Sequence, residues 1–186
     1  MKDLTLDTAV TALRTGGVIA YPTEAVWGLG CDPSHQTAVM KLLEIKQRPV
    51  EKGMILVAAE LAQLDEWVRL KALPQSRQAE VLASWPGANT WILPAGRKAP
   101  SWITGEHSGL AVRISAHPLV AALCRRWGGP LVSTSANLAG HPPARTRAEL
   151  DPTLLRWLDG VLDGPTGGLA QPTPIRDALT GQVLRT

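Results

Sequence analysis

Phenylalanine is missing from this 186-residue chain, and cysteine, tyrosine and methionine are rare at two, one and three copies. Cys31 and Cys124 lie far apart and neither has a CxxC neighbour, so neither a zinc site nor a disulfide framework is indicated, and a reducing compartment suits the chain. Several motifs are also missing. There is no GxxxxGK[ST], no GxGxxG after a strand, no HExxH and no GxSxG, which removes the standard phosphate-loop, dinucleotide, zinc-protease and serine-hydrolase signatures. No apolar run reaches membrane-spanning length, and acids fall among the first residues, MKDLTLDTAV, so a cytoplasmic protein with no membrane association is expected. No repeat, low-complexity tract or linker divides the sequence, and residues 1–186 are expected to form one domain.

What is present suits a cytosolic α/β protein. Hydrophobic residues make up 45% of the chain, enough at this length to bury roughly 70% of the unfolded surface, and the seven tryptophans without phenylalanine read as drift in aromatic usage, with core filling as the alternative. The net charge of +3 is compatible with an anionic ligand without demanding one. Leu6, Ala9, Val10 and Leu13 fall on one helical stripe that Gly16 and Gly17 end. Val18–Tyr21 reads as a short buried strand closed by Pro22, which delivers Thr23 and Glu24 at its carboxyl end, where open α/β sheets bind ligands. Gly28 and Gly30 predict a glycine-rich loop or a close approach of another group.

Further along, Val39, Leu42 and Leu43 predict a helix that stops near Gln47, because Pro49 disfavours helix before it. Lys46, seven residues after Val39, continues the buried stripe and puts a cation at the edge of the core, with Arg48 just past the helix end. A strand is expected at 54–58 and helical spacing at Leu61, Leu64, Trp67 and Val68. Pro74 opens a helix, 90–93 is a strand, and 95–109 is a long loop of the kind that is more often functional than merely connecting. LAVRI at 110–114 is a strand with Arg113 in an apolar run, where a buried charge needs a partner. Pro118 starts a helix striped by Leu119, Ala122, Leu123 and Arg126; His117 before it reads as a capping or surface residue. PLVSTSAN at 130–137 is a second short strand ending in small polar side chains. Residues 160–164 suggest a brief strand, 164–174 a surface loop, and the C-terminal stretch a hairpin across Thr180 and Gly181.

Taken alone, the cations, hydroxyls and backbone N–H groups at these strand and helix ends would suit a polyphosphate or carboxylate without a Walker loop. Lys46 would equally serve as a lysine complementing a helix carboxyl terminus, and Arg48 as a surface charge.

Together, however, YPTEAVWGLG at 21–30, KQRP at 46–49, LAVRI at 110–114 and STSAN at 133–137 resemble, in order and spacing, the threonylcarbamoyl-AMP synthase family, known as YrdC or Sua5. The length and the KQRPVEKGMIL variant are similar to its bacterial single-domain branch, TsaC. The resemblance implies an α/β fold, a YrdC-like twisted mixed β-sheet flanked by helices with a concave basic face. The implied reaction joins L-threonine, bicarbonate and ATP into threonylcarbamoyl-adenylate with release of pyrophosphate, and feeds the threonylcarbamoyl modification of a tRNA adenosine next to the anticodon. Carried over by position, Lys46 and Arg48 are the catalytic cations and, with Ser135, Asn137 and Arg185, the nucleotide-binding set. Thr23, Arg113, Ser133 and Thr173 are the threonine-binding set, Arg113 through the carboxylate. Mg2+ would come with the nucleotide, no protein metal site is implied, and the partners would be downstream threonylcarbamoyl-transfer proteins with weak RNA or tRNA binding. Two departures stand out: KGMILV replaces the NPLIVH of longer members, so the histidine is missing, and a serine near Pro143 is replaced. The rival readings are a double-stranded RNA-binding module and a relative that makes carbamoyl-adenylate from carbamoyl phosphate.

Overall fold

The computed structural model describes residues 2–185. The chain opens with β1 (Asp3–Leu4) and α1 (Leu6–Arg14), whose start is fixed by a reciprocal cap in which Thr5 and Thr8 each accept from the other's backbone N–H. The helix buries Ala9, Val10 and Leu13, the stripe expected from their spacing. β2 (Ile19–Pro22) then pairs antiparallel with β3 (Trp27–Gly30), joined by a turn at 23–26.

The predicted glycine-rich loop is therefore a strand. Glycine is required there by close approach: a Cβ on Gly30 would sit 2.4 Å from Val132 O and 2.7 Å from the Tyr21 ring.

α2 (Gln36–Ile45) and β4 (Ile55–Ala58) follow as predicted. The stretch after β4 departs from the sequence reading, because Leu61–Leu64 makes only a single 3-10 turn. Leu64, Trp67 and Val68 are all buried, so their spacing reported burial but not an α-helix. Next come α3 (Gln75–Ala83), β5 (Thr90–Pro94), α4 (Ser101–Thr104) within the long loop, β6 (Gly109–Ile114) and α5 (Pro118–Trp127). α5 buries Val120, Ala121, Leu123 and Cys124, so its buried face is rotated from the predicted one; Arg126 points outward to Asp7. The last elements are β7 (Leu131–Val132), β8 (Thr134–Ser135), α6 (Pro152–Leu155), β9 (Gly160–Leu162) and the hairpin β10 (Ile175–Asp177) with β11 (Val183–Arg185).

Among the described residues the strands form two mixed sheets, in orders β1-β9-β2-β3-β8 and β11-β10-β5-β6-β4-β7. The twisted mixed sheet expected for the fold is thus split in two. The chain crosses between the halves at Ser133: Leu131 and Val132 pair with β4, and Thr134 and Ser135 pair with β3. Trp27, Trp67, Trp85 and Trp91 lie in one core cluster, which gives the tryptophan-for-phenylalanine usage a structural role. The indole N–H of Trp85 reaches Asn89 O and that of Trp91 reaches Ser84 Oγ, so burying these rings strands no donor. None of the described helices is long and apolar enough to cross a membrane.

Candidate active site

α2 ends in a chain reversal. Gln47 N–H donates to Glu44 O and Arg48 N–H to Leu43 O, both at 2.9 Å, with Gln47 at φ +50°. Helices often close this way on a glycine; here the left-handed position holds glutamine. The reversal carries Lys46 and Arg48 to the wall of one cleft.

Lys46 is only 6% exposed. Its Nζ donates to Ser135 O at 2.5 Å and Asn137 O at 2.7 Å, so it binds α2 to the segment after β8 instead of complementing its own helix end. Burial pulls its pKa down from 10.5 to about 8, and Arg48 adds a smaller push in the same direction. Arg48 donates through Nη2 to Gly53 O at 3.0 Å and Lys52 O at 3.4 Å, while its Nε is buried without a partner. Burial lowers its pKa as well. The turn holding Arg48 rests on the long loop, since Met54 N–H donates to Ile103 O and Glu106 N–H to Glu51 O. That loop forms one wall of the cleft through Ile103, Thr104 and residues 106–108.

Arg113 has the partners that a buried charge in an apolar strand requires. Its Nη1 donates to Thr173 Oγ1 at 2.9 Å and Thr90 Oγ1 at 3.4 Å, and its Nη2 lies 3.3 Å from Glu24 Oε2. Glu24 Oε1 accepts from Ser115 Oγ at 2.6 Å. The 164–174 segment is not simply a surface loop, because Thr173 is buried by this network and Gly167 and Leu169 donate to the carbonyls of Thr23 and Glu24. Thr23 itself closes the hairpin tip, its hydroxyl donating to Val26 O at 2.7 Å. His117 is neither a side-chain cap nor exposed: it is buried, with Nε2 3.0 Å from Pro165 O. Val57 lies where longer members carry the histidine; it is fully buried and pairs with Arg113 across β4 and β6.

The cleft has a volume of about 800 Å³, and all nine residues carried over from the resemblance line it: Thr23, Lys46, Arg48, Arg113, Ser133, Ser135, Asn137, Thr173 and Arg185. Arg185, on β11, donates to Thr173 O at 3.0 Å. Its pKa is lowered by burial and then by the neighbouring charges of Arg113 and Arg48, so cations from three distant segments feel one another here. With Lys52, five cations line the cleft against two carboxylates, Glu106 and Asp177. Such a wall suits an anion of several charges. Sequence reasoning missed Lys52 as a cleft residue and missed Thr90 and Ser115 as members of the Arg113 network; the need of Arg113 for partners was visible, but not which distant residues would supply them.

The Sua5/YciO/YrdC family model, described as "Telomere recombination", matches residues 11–186. The chain belongs to this family. A Stenotrophomonas maltophilia protein named threonylcarbamoyl-AMP synthase is 79% identical over the full length of both chains. One of the same name from Xanthomonas euvesicatoria is 68% identical, covering 98% of this chain and 97% of that one. Among solved structures, P. abyssi Sua5 complexed with L-threonine has a TM-score of 0.85 at 27% identity, covering 92% of this chain and 50% of that one. E. coli YciO has a TM-score of 0.81 at 25% identity, covering 97% and 90%. The present Sua5/YciO/YrdC chain spans about half the length of the P. abyssi Sua5 chains it matches.

Proposed function

We propose that the protein is a threonylcarbamoyl-AMP synthase, a nucleotidyltransferase that uses L-threonine, bicarbonate and ATP. The observation that carries this is the division of one cleft. Lys46 and Arg48 have no carboxylate within ion-pair distance among the described residues, whereas Arg113 is paired with Glu24 and joined to Thr173. The first half suits phosphates and the second a single carboxylate. The relative at 79% identity carries that name, and a structural neighbour was crystallised with L-threonine.

In this function the threonine amine combines with bicarbonate to give a carbamate and water. A carbamate oxygen then forms a bond to the α-phosphorus of ATP as the α–β phosphoanhydride bond breaks, and pyrophosphate leaves. The nucleophile is already anionic, so the chain has to align it and relieve charge more than remove a proton. Lys46 and Arg48 take the phosphates with Ser135, Asn137 and Arg185, while Arg113, Thr23, Ser133 and Thr173 hold threonine. Mg2+ would come with the nucleotide and would offset phosphate charge. Asn137 Oδ1, buried in the cleft wall without a partner, is the oxygen that would face it directly or through water. The product passes to threonylcarbamoyl-transfer proteins acting on tRNA, and RNA itself binds weakly and electrostatically in competition with ATP.

The test is pyrophosphate release from ATP and bicarbonate with each amino acid in turn. Release that depends on both threonine and bicarbonate is expected. Release indifferent to the amino acid, or tight RNA binding at physiological salt without ATP affinity, would replace this reading.

A further inference from the structure

Glu24 is buried beside Arg113 yet does not line the cleft, although its neighbours Thr23 and Ala25 do. Its carboxylate is held on one side only: Oε1 accepts from Ser115 Oγ at 2.6 Å, and Ser115 Oγ in turn accepts from His117 N–H at 3.1 Å. Oε2 stands 3.3 Å from Arg113 Nη2 without an aligned hydrogen bond. On the guanidinium, Nη1 is engaged by Thr173 and Thr90, while Nε is buried with no partner. A two-pronged Arg–carboxylate pair would use both donors of one guanidinium edge. The contact here is single and loose, so it balances the charge of Arg113 without taking all of its donors.

The rest of the cleft has no such arrangement. Arg48, Lys52 and Lys46 line it with no carboxylate in ion-pair range among the described residues. An uncompensated Arg113 would extend this positive wall into the amino-acid half, and a phosphate would compete there with a carboxylate.

We infer that Glu24, held by Ser115, is a positioning and specificity residue that keeps the Arg113 subsite selective for a monoanionic carboxylate over phosphate. The inference rests on the proposed function. It separates the two anions inside one continuous cleft, so that threonine and the nucleotide do not exchange places. Glu24 touches neither substrate; it acts through Arg113.

The experiment measures steady-state pyrophosphate release by Glu24→Gln, which keeps the shape and removes the charge. The threonine KM is expected to rise at least about tenfold with the ATP KM within about twofold. With adenylate formation followed by chromatography, added inorganic pyrophosphate is expected to compete with ATP alone in the wild type and with threonine as well in the variant. Ser115→Ala, which removes the 2.6 Å donor to Glu24, should show the same split more weakly. If Glu24→Gln fails to fold by circular dichroism, Ser115→Ala decides on the same criterion. An unchanged threonine KM, or threonine and ATP KM values that rise together, would overturn the inference. Wild-type protein run in parallel separates the failures: no threonine-dependent release from it removes the proposed function, and this inference with it. Normal wild-type turnover beside an unshifted variant removes the inference alone.

Discussion

The two halves of the cleft are built differently. Around Arg113 the contacts run between side chains from separated parts of the chain: Glu24, Thr90, Ser115 and Thr173. Around Lys46 and Arg48 the acceptors are backbone carbonyls, those of Ser135, Asn137, Lys52 and Gly53. Carbonyls orient a cation without neutralising it, whereas Glu24 neutralises Arg113 before any ligand arrives. In the proposed function the half around Lys46 and Arg48, the phosphate half, is thus an arrangement of aimed, uncompensated charge whose counter-ion would be the nucleotide. The half around Arg113, the amino-acid half, would be a near-neutral pocket in which fit and hydrogen bonding decide what enters.

The comparison breaks most severely at Lys46. In the proposed function Lys46→Ala removes an aligned cation from the reacting phosphate, and pyrophosphate release should fall by about 10²-fold or more. A lysine that only complemented its own helix end would cost little stability on removal. In the structure the substitution leaves the half-buried carbonyls of Ser135 and Asn137 without their donor, so a stability loss of about 1 kcal/mol is expected with it. Chemical denaturation alongside the assay checks both. Wild-type turnover by the folded variant would remove Lys46 from the mechanism.

Arg113→Lys tests the other half. A lysine keeps the charge near Glu24 but cannot also reach Thr173 and present a fork to a carboxylate. The threonine KM should rise roughly tenfold to a hundredfold while the ATP KM stays within about threefold, as read from initial rates. Equal changes in both would show that the halves are not separable.

The same contrast explains what the sequence made legible. The Lys46–Arg48 pair could be read because both cations lie at one helix end: the 39–43 stripe fixes the burial of Lys46, and Pro49 fixes the stop. The strand at 19–22, the strand at 55–58 and Arg113 in an apolar run were legible for similar local reasons. The partners of Arg113 were not, because Thr90 and Thr173 are 23 and 60 residues away: Thr90 meets it across the antiparallel pairing of β5 with β6, and Thr173 through the parallel pairing of β10 with β5. Gly28 and Gly30 left two readings open because glycine signals either a turn or a close approach, and only the packing of Tyr21 and Val132 against Gly30 decides for the second. The split into two sheets turns on the single crossover residue Ser133, which no periodicity marks.

A smaller effect follows from the pKa of Lys46, about 8 against 10.5 for an exposed lysine. In the proposed function phosphates beside it would favour the ammonium, so the pKa should rise on nucleotide binding and protons be taken up above pH 8. ATP affinity should therefore fall as pH climbs above 8, by at most about tenfold per unit, and be flat below pH 7. The effect on stability has the opposite sign. Between pH 8 and 10.5 the unfolded chain holds the extra proton, so the contribution of Lys46 to stability of the ligand-free protein rises with pH through that window. Calorimetry in buffers of different ionisation enthalpy measures the uptake. Lys46→Arg, charged throughout, should abolish it; persistence of the uptake in that variant would assign the proton elsewhere.

The smallest expected effect sharpens the claim that backbone alone aims the phosphate half. Gln47 occupies a left-handed position, φ +50°, that costs an L-residue about 1–2 kcal/mol and glycine almost nothing. Its side chain is exposed and the reversal is closed by main-chain bonds from Gln47 and Arg48, so nothing in that geometry requires glutamine. Gln47→Gly relieves the strain but gives the unfolded chain more freedom, worth roughly 0.5–1 kcal/mol in the other direction. The balance is a stabilisation of roughly 0.5–1 kcal/mol, a Tm increase of about 2 °C. If the backbone aims Lys46 and Arg48, kcat and the ATP KM should stay within about twofold of wild type. A Tm increase joined to a clear rise in the ATP KM would mean instead that the strain is kept for a contact made by the glutamine amide, since Gln47 also lines the cleft between the two cations.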